Sequence, residues 1–555
     1  MKRCFIIISA MLVLGSAAAD IRFVYPGWKY KALTFSYDDG VIEDRRLVEI
    51  FNRYKMKCTF NVSAGRAGST PRFIPLSEYA ELYKGHEIAS HGYKHLNMNS
   101  LDDAALEKEI RDDLVSLEKA VGYPVKGFAY PYGANSERVW QMLKKYGISY
   151  ARTTGDSKAF SEPQNRLAMH PTAHHNNNLL ALGKKYREYK GWGGVLSICN
   201  IWGHSYEFER QGKWELIETF CREMADRPDI WYAANGEIFD YLDACRKVRT
   251  AVDGSSMINP TSTTIYLYVD GKKVLLPPTY VPAEGLTVQA TLPAGDYPLF
   301  PGGRTKALTF SYDDGNDMAG DSRLVQIFNQ YKLKGTFNIN GKRDVDYSIY
   351  KGHEVATHGF FHLTYRSVPF DLIVRDIYRD REALEKAVGY PVRGHAYPNG
   401  GWSVMEASEN ILAGCGIAYA RLTAAKSESF AIPENWLQWA PTAHHENDGD
   451  IINIGKEFMA TEKVPALCSI WGHSREFQVK KNWKIIEDFA ALMSGKKDIW
   501  YATNIEIYDY MQAVAALRWS ADRSFCKNMS AIPVYYCVQG KPRLIRSGEI
   551  CRFND

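Results

Sequence analysis

Apolar residues at Leu47, Ile50, Phe51 and Tyr54 recur at i, i+3, i+4 and i+7, the spacing of one helix face, and predict a helix over residues 43–54. On either side lie short continuous apolar runs, "KALTFSY" before it and "CTFNV" after it, which read as buried strands. A longer face of Leu106, Ile110, Leu114 and Leu117 predicts a helix from near Ser100, taken as its N-cap, to Gly122. "VKGFAYPYG" reads as a strand, residues 136–146 as a helix stopped by Gly147, and "SYART" and "GVLSICNIW" as further strands. Helices follow near 214–225 and 236–247. Strands alternating with helices predict a parallel β/α organisation; periodicity leaves open whether the sheet closes into a barrel. From about residue 250 the period changes to two. "STTIYLYVDGKKVLLPPTYV" alternates around Asp270-Gly271, a hairpin signal, and "IPVYYCVQGKPRLIRS" at 532–547 is its counterpart.

The counterpart belongs to a larger repeat. "LTFSYDDG" occupies 33–40 and returns at 308–315; "EKAVGYPV" occurs at 118–125 and 385–392, "PTAHH" at 171–175 and 441–445, and "IWGHS" at 201–205 and 470–474. Order is kept, with offsets of roughly 270 residues, too long for a solenoid and right for a tandem domain duplication. The first copy carries extra residues, "AGRAGSTPRFIPLSEY", which read as a loop insertion. The expected division is a leader at 1–19, a first barrel-type domain at 20–249, a small β unit at 250–299, a second barrel-type domain at 300–516 and a second β unit at 517–555. Packing against the barrels is the expected role of the β units, with glycan binding as the alternative.

Composition narrows the partners. A chain of 555 residues with 45% apolar and 24% charged content is globular and too long for one core. A net charge of +4 gives no reason to expect nucleic acid or an anionic membrane surface. The start "MKRCFIIISAMLVLGSAAAD" has a basic head, an apolar stretch and a small-residue cleavage site, the pattern of a secretory signal peptide cut before Asp20. No later stretch approaches the roughly 18 apolar residues of a membrane span. The expected product is exported to the periplasm or outside the cell. Of ten cysteines, nine follow the leader; none forms a CxxC pair, so a zinc ribbon or thioredoxin-like site is not indicated.

The chemistry-bearing residues sit at predicted strand ends, where β/α folds place their sites. Asp38-Asp39, His91 and His95 in "SHGYKH", and His204 in "IWGH" are of metal-ligand and acid–base type; the second copy repeats them as Asp313-Asp314, His358, His362 and His473. Histidines at i and i+4 lie one turn apart on a helix, which would aim both imidazoles at one cation. Adding a carboxylate gives three protein ligands with positions left open, the ligand count of a catalytic site. A cation would neutralise one acid of the pair, so that the other tolerates its neighbour and acts as a base on water. The late histidine then serves as the acid toward the leaving group. The same two-histidine, one-carboxylate set also fits an iron oxygenase; the adjacent second acid and the late histidine favour hydrolysis.

"TFSYDDG", "SHGYKH", "FAYPYG" and the late "IWGH" together resemble the polysaccharide deacetylases of carbohydrate esterase family 4, the NodB-homology fold, over about 24–247 and again over 301–515. The resemblance implies an α/β fold of two tandem distorted (β/α) barrels, a divalent metal (zinc, with cobalt or nickel as alternatives), and hydrolysis of N- or O-acetyl groups on a carbohydrate. It implies Asp38 and Asp313 as catalytic bases, Asp39, His91, His95, Asp314, His358 and His362 as metal ligands, and His204 and His473 as acids. Tyr132 falls where a backbone N–H helps hold the oxyanion; its counterpart is Asn399. Where the family often has an arginine in "FAYPYG", this chain has Ala129 and Ala396, and the family's Asp- and Trp-bearing fourth motif has no clear match. His174, His175, His444 and His445 are candidates for lining the pocket or for hydrogen bonding within a loop. Trp202 and Trp471 are candidates for an apolar wall or for core packing. His86 and His353 are read as structural. The competing class is a glycan-binding protein with one half, more readily the second, or both catalytically silent.

Overall fold

A computed structural model describes residues 18–191, 195–286, 292–400, 407–423, 430–446 and 450–553. The leader expected at 1–19 lies, except for its last two residues, outside the described residues. No described helix is long and apolar enough to cross a membrane.

Each half is built on one parallel sheet. In the first, the order is Tyr150–Arg152, Gly127–Ala129, Glu87–Ser90, Cys58–Val62, Lys31–Asp38, Ser197–Gly203 and Ala173–His174, with Ile230–Tyr232 also paired to Lys31–Asp38. Arg152 bridges in parallel to Met169, so the chain running toward Ala173–His174 closes the open side. The second half repeats the order with Tyr419–Arg421, Gly394–Ala396, Glu354–Thr357, Gly335–Ile339, Lys306–Asp314, Ala466–Gly472 and Ala443–His444, and Arg421 bridges to Trp439. The chain is α/β, with two distorted (β/α) barrels in tandem. All eight residues of Lys31–Asp38 are buried, as a strand covered on both faces requires, which is why it reads as an apolar run.

The predicted helix at 43–54 forms over Asp44–Arg53 with Leu47, Ile50 and Phe51 in the core. Two local expectations change. The long helix runs Asp103–Val121, and Asp102 is its N-cap, accepting the Ala105 N–H; Ser100 closes a separate short turn. The strand expected over "VKGFAYPYG" is confined to Gly127–Ala129. Pro131 lacks an N–H for the ladder, and Tyr132 turns the chain with φ +60°.

The hairpins form as patterned. Ile265–Val269 pairs with Lys272–Leu276 across Asp270 and Gly271, both at positive φ, the geometry a two-residue hairpin turn needs. Each three-stranded sheet takes its third strand from elsewhere: Ile21–Val24 completes the first, and Tyr297–Leu299 joins Val534–Val538 and Lys541–Ile545 in the second. Ile265 and Leu267 pack with Ala32, Ile198 and Leu242. That contact lies at the starts of the barrel strands, opposite the ends that carry the acids and histidines.

The two repeats also brace each other through exchanged arms. After the first barrel's last helix, Asn235–Lys247, the chain reaches the second barrel, where Glu385 accepts the Val252 N–H at 2.6 Å and Arg381 donates to the Thr250 carbonyl at 3.2 Å. The corresponding arm of the second repeat reaches back: Glu118 accepts the Ala521 N–H at 2.7 Å and Arg518 pairs with Asp240 at 2.9 Å. The arms meet at Thr261 and Ser530, with Ser262 N–H on the Met529 carbonyl and Ala531 N–H on the Pro260 carbonyl. Each repeat thus contributes contacts to the other's barrel.

Candidate metal and acid–base centre

Asp38 ends its strand and Asp39 follows at φ +83°; in the second copy Asp313 is the last residue but one of its strand and Asp314, the last, is also at φ +83°. The left-handed turn answers the problem of two adjoining acids: it sends the second carboxylate away from the first. Asp tolerates this region better than most residues, though at a local cost.

Asp38 is held inside the barrel. The Arg152 guanidinium grips both of its oxygens, and Asn61 donates to one of them at 2.8 Å. Burial alone would raise the carboxyl's pKa, but Arg152, His91 and His204 outweigh it and hold it below its ordinary value. Arg421 and Asn338 do the same for Asp313. Neither arginine was singled out in the sequence. Arg152 takes the place left by Ala129 from the next strand of the sheet. The available signal was the repeated "YAR" at 150–152 and 419–421.

Asp39, His91 and His95 form a cluster whose ligand atoms lie within 4.8 Å of one another, and Asp314, His358 and His362 form another. The Asp39 Oδ1 to His95 Nε2 distance is 3.6 Å; in the second copy Asp314 Oδ1 lies 3.7 Å from His358 Nε2 and 3.8 Å from His362 Nε2. These separations are longer than hydrogen bonds and suit groups sharing one ion. The Nδ1 of His91 lies 2.8 Å from the Ala129 carbonyl and that of His358 2.9 Å from the Ala396 carbonyl. An N–H given to that carbonyl leaves the Nε2 lone pair for a metal. Burial lowers the pKa of His91 and pushes that of His95 to about 4, so both imidazoles are neutral near pH 7, the form that can accept a cation. The donor set fits a divalent cation.

The histidine pair does not lie on a helix. His91 follows the strand Glu87–Ser90, and the chain then loops through His95 at φ +62°. Convergence comes from the loop being pinned: Glu109 on the long helix accepts the N–H groups of Lys94 and Leu96, on either side of His95, at 2.6 and 3.3 Å. Asp376 serves the second copy by accepting the Phe361 N–H at 2.6 Å.

His204 follows the strand Ser197–Gly203 and opens the helix Ser205–Gln211. Glu207 on that helix accepts the His204 backbone N–H at 3.2 Å and sits 3.6 Å from its Nδ1, an ion-pair distance. The same carboxylate meets His174 Nε2 at 3.2 Å and His175 Nε2 at 3.0 Å. Burial would lower the pKa of His204, but Glu207, Asp38 and Asp39 raise it above its ordinary value. Glu476 repeats this around His473, His444 and His445. Glu207 is a second residue not picked out from the sequence, although "GHSxEF" stands in both copies. His175 is fully buried and stacks between Tyr37 and Phe208. Trp202 is nearly buried, with the Arg152 guanidinium 4.6 Å over its ring and its indole N–H on Asp156; Trp471 packs likewise on Arg421. Tyr132 is 70% exposed and stands edge-on to His95 at 4.9 Å, at the rim of the centre. His86 packs against Phe60, as a structural residue does.

Residues 28–151 and 301–420 each match one family model, described as Polysaccharide deacetylase. A curated relative, the peptidoglycan-N-acetylmuramic acid deacetylase PdaC of Bacillus subtilis (strain 168), is 26% identical over 121 residues, covering 22% of this chain and 25% of the relative. The chain thus spans a quarter of that relative's length. Among solved structures, a family 4 carbohydrate esterase from Streptomyces lividans in complex with acetate is similar at 19% identity and a TM-score of 0.25, covering 35% of this chain and 88% of that one. A Streptococcus mutans CE4 esterase is similar at 18% identity and a TM-score of 0.26, covering 34% and 81%.

Proposed function

We propose, from the premise that both halves of this chain belong to the polysaccharide deacetylase family, that the protein is an exported, metal-dependent hydrolase removing acetyl groups from a carbohydrate. The observation that carries this is the joint placement, in both halves, of an arginine-clamped acid, a two-histidine, one-carboxylate cluster beside it, and a carboxylate-backed histidine. The basic and apolar leader pattern supports export.

Asp39, His91 and His95 would hold the cation, and Asp314, His358 and His362 a second one. When bound, such an ion supplies Lewis acidity toward an acyl oxygen and toward water. Asp38, kept ionised by Arg152, takes a proton on a carboxylate oxygen as water adds to the acetyl carbon. The backbone N–H at Tyr132, or at Asn399, stands to help hold the oxyanion. His204, charged and turned by Glu207 at Nδ1, gives its Nε2 proton to the leaving nitrogen or oxygen. The bond between acetyl carbon and that atom breaks, and acetate and the freed amine or alcohol depart. Asp313 and His473 repeat these roles.

The name of the curated relative puts N-acetylated peptidoglycan sugars first among substrates to try, beside chitin oligomers, acetylated xylan and pectin. The test is acetate release by the full chain across that panel, with and without a chelator. Release that a chelator stops and added divalent metal restores is expected. Release on no substrate with metal present, or release indifferent to Asp38→Asn and Asp313→Asn together, would end the proposal.

A further inference from the structure

The repeats meet around a cavity of about 190 Å³ near the starts of the second barrel's strands, away from both metal clusters. Lys247 and Arg249 line it from the first repeat, and Arg393 and Asp509 from the second, with Ile258 and Ile532 as apolar wall. The duplication supplies an internal control for the charges there.

At the matching place in the other half, Asp240 serves two cations at once. Arg518 lies on both its oxygens at 2.9 and 3.1 Å, and Lys126 is bound to it too. In the cavity the counterpart acid, Asp509, has both oxygens taken by Arg393. The side chain of Arg249, the counterpart of Arg518, makes no hydrogen bond or ion pair with any described residue, while its backbone pairs with Ile258. Burial and the nearby Arg393 lower its pKa. Arg393 is 6% exposed and its Nε finds no acceptor. Lys247 adds a third positive charge where the other repeat has Ala516, and Gln512 stands where the other repeat has Asp243. Glu354, the other acid near Arg393, already accepts from Thr336, Tyr419 and the Ile505 N–H. Three cations thus face one engaged carboxylate.

Partly buried positive charge without a partner is costly, and a guanidinium fork matches a planar or tetrahedral oxyanion. We propose that this cavity is a binding site for a small oxyanion, of phosphate or carboxylate type, bridging Arg249 of one repeat to the Arg393 side of the other. Bound there, the anion ties the exchanged arm to the second barrel and stabilises the paired arrangement of the two halves.

The test is thermal unfolding of the full chain against inorganic phosphate and, separately, acetate, each compared with chloride at matched ionic strength. A rise in Tm that saturates with phosphate or acetate, but not with chloride, is expected, and the more effective anion identifies the group. Arg249→Ala should lose the response and Arg518→Ala should keep it. Gln512→Asp should abolish the response by supplying the missing carboxylate, which keeps the test decisive if Arg249→Ala folds poorly. No saturable rise over chloride in the wild-type protein, or a full response in Gln512→Asp, overturns the site.

Discussion

The two candidate centres have the same residue set and different surroundings. In the first repeat, the inserted segment brings Arg66 to within 3.0 Å of Asp39 Oδ1 and lays its guanidinium over Phe73. Arg72 sits over Tyr206, and Tyr206 in turn packs near His204. Tyr132 adds another ring. In the second repeat the insertion is missing, Asn316 replaces arginine as the donor to Asp314, and Asn399 stands in for Tyr132, donating to Thr364. The exposures follow: the side chains of Asp39 and His95 are 9% and 16% exposed, and those of Asp314 and His362 are 20% and 33%. Enclosure strengthens every electrostatic interaction within a site, and aromatic walls suit sugar rings. Duplication has therefore kept the residue set while changing the access to it, and the first centre is the more enclosed of the two.

The sharpest way to break this comparison is to disable one base at a time in the full chain. Asp38→Asn should lower acetate release by roughly 10²–10⁴-fold from the first centre, leaving only what the second supplies; Asp313→Asn should change the total by less than about twofold. Equal losses would make the centres equivalent. Metal analysis sharpens the point: Asp39→Ala and Asp314→Ala should each lower bound metal by one ion per chain, so that a silent second centre is distinguished from an empty one.

The next effect concerns the exchanged arms. Glu385 binds Arg381 as well as the Val252 N–H, whereas Glu118 binds only backbone N–H groups among the described residues. Glu385→Ala strands a buried guanidinium and should cost about 3–5 kcal/mol in denaturant unfolding. Glu118→Ala leaves N–H groups unpaired and should cost about 1–3 kcal/mol. Equal costs would show that the two arms carry the same load. Because each arm supports the other barrel, separately expressed halves should unfold more readily than the whole chain.

The smallest effect is a shift in pH dependence. Glu207 raises the pKa of His204, and an acid works only while protonated. Removing the charge lowers that pKa, so in Glu207→Gln activity should fall off at lower pH on the alkaline side. The acid limb, which reports the base, should stay in place. About tenfold loss near neutral pH is expected, and the matching Glu476→Gln should move the total rate far less. An unmoved alkaline limb would separate Glu207 from the acid.

Much of the fold was legible because it rests on local periodicity. A strand buried on both faces must read as an apolar run, as "KALTFSY" does, and an amphipathic helix must repeat its face near 3.6 residues, as Leu106 to Leu117 do. The repeat was legible because duplication leaves letters unchanged. The clustering of Asp39, His91 and His95 was legible because they sit next to strand ends in short motifs. The support around it was not. Arg152 reaches Asp38 across 114 positions, Glu109 pins the His95 loop from a helix face, and Glu207 joins His174 and His175 from the helix Ser205–Gln211. The reading of His91 and His95 as one helical turn failed for the same reason: spacing alone cannot tell a helix from a loop held by a distant carboxylate.

The α/β alternation, the tandem repeat, the hairpins and the acid and histidine motifs are written in neighbours and periods along the chain. Tertiary structure alone decided which arginine clamps Asp38 and Asp313, which glutamate meets His204 and His473, how enclosed each cluster is, and that the two repeats trade arms. Those depend on residues far apart in the chain meeting when a sheet closes, and no local pattern encodes such a meeting.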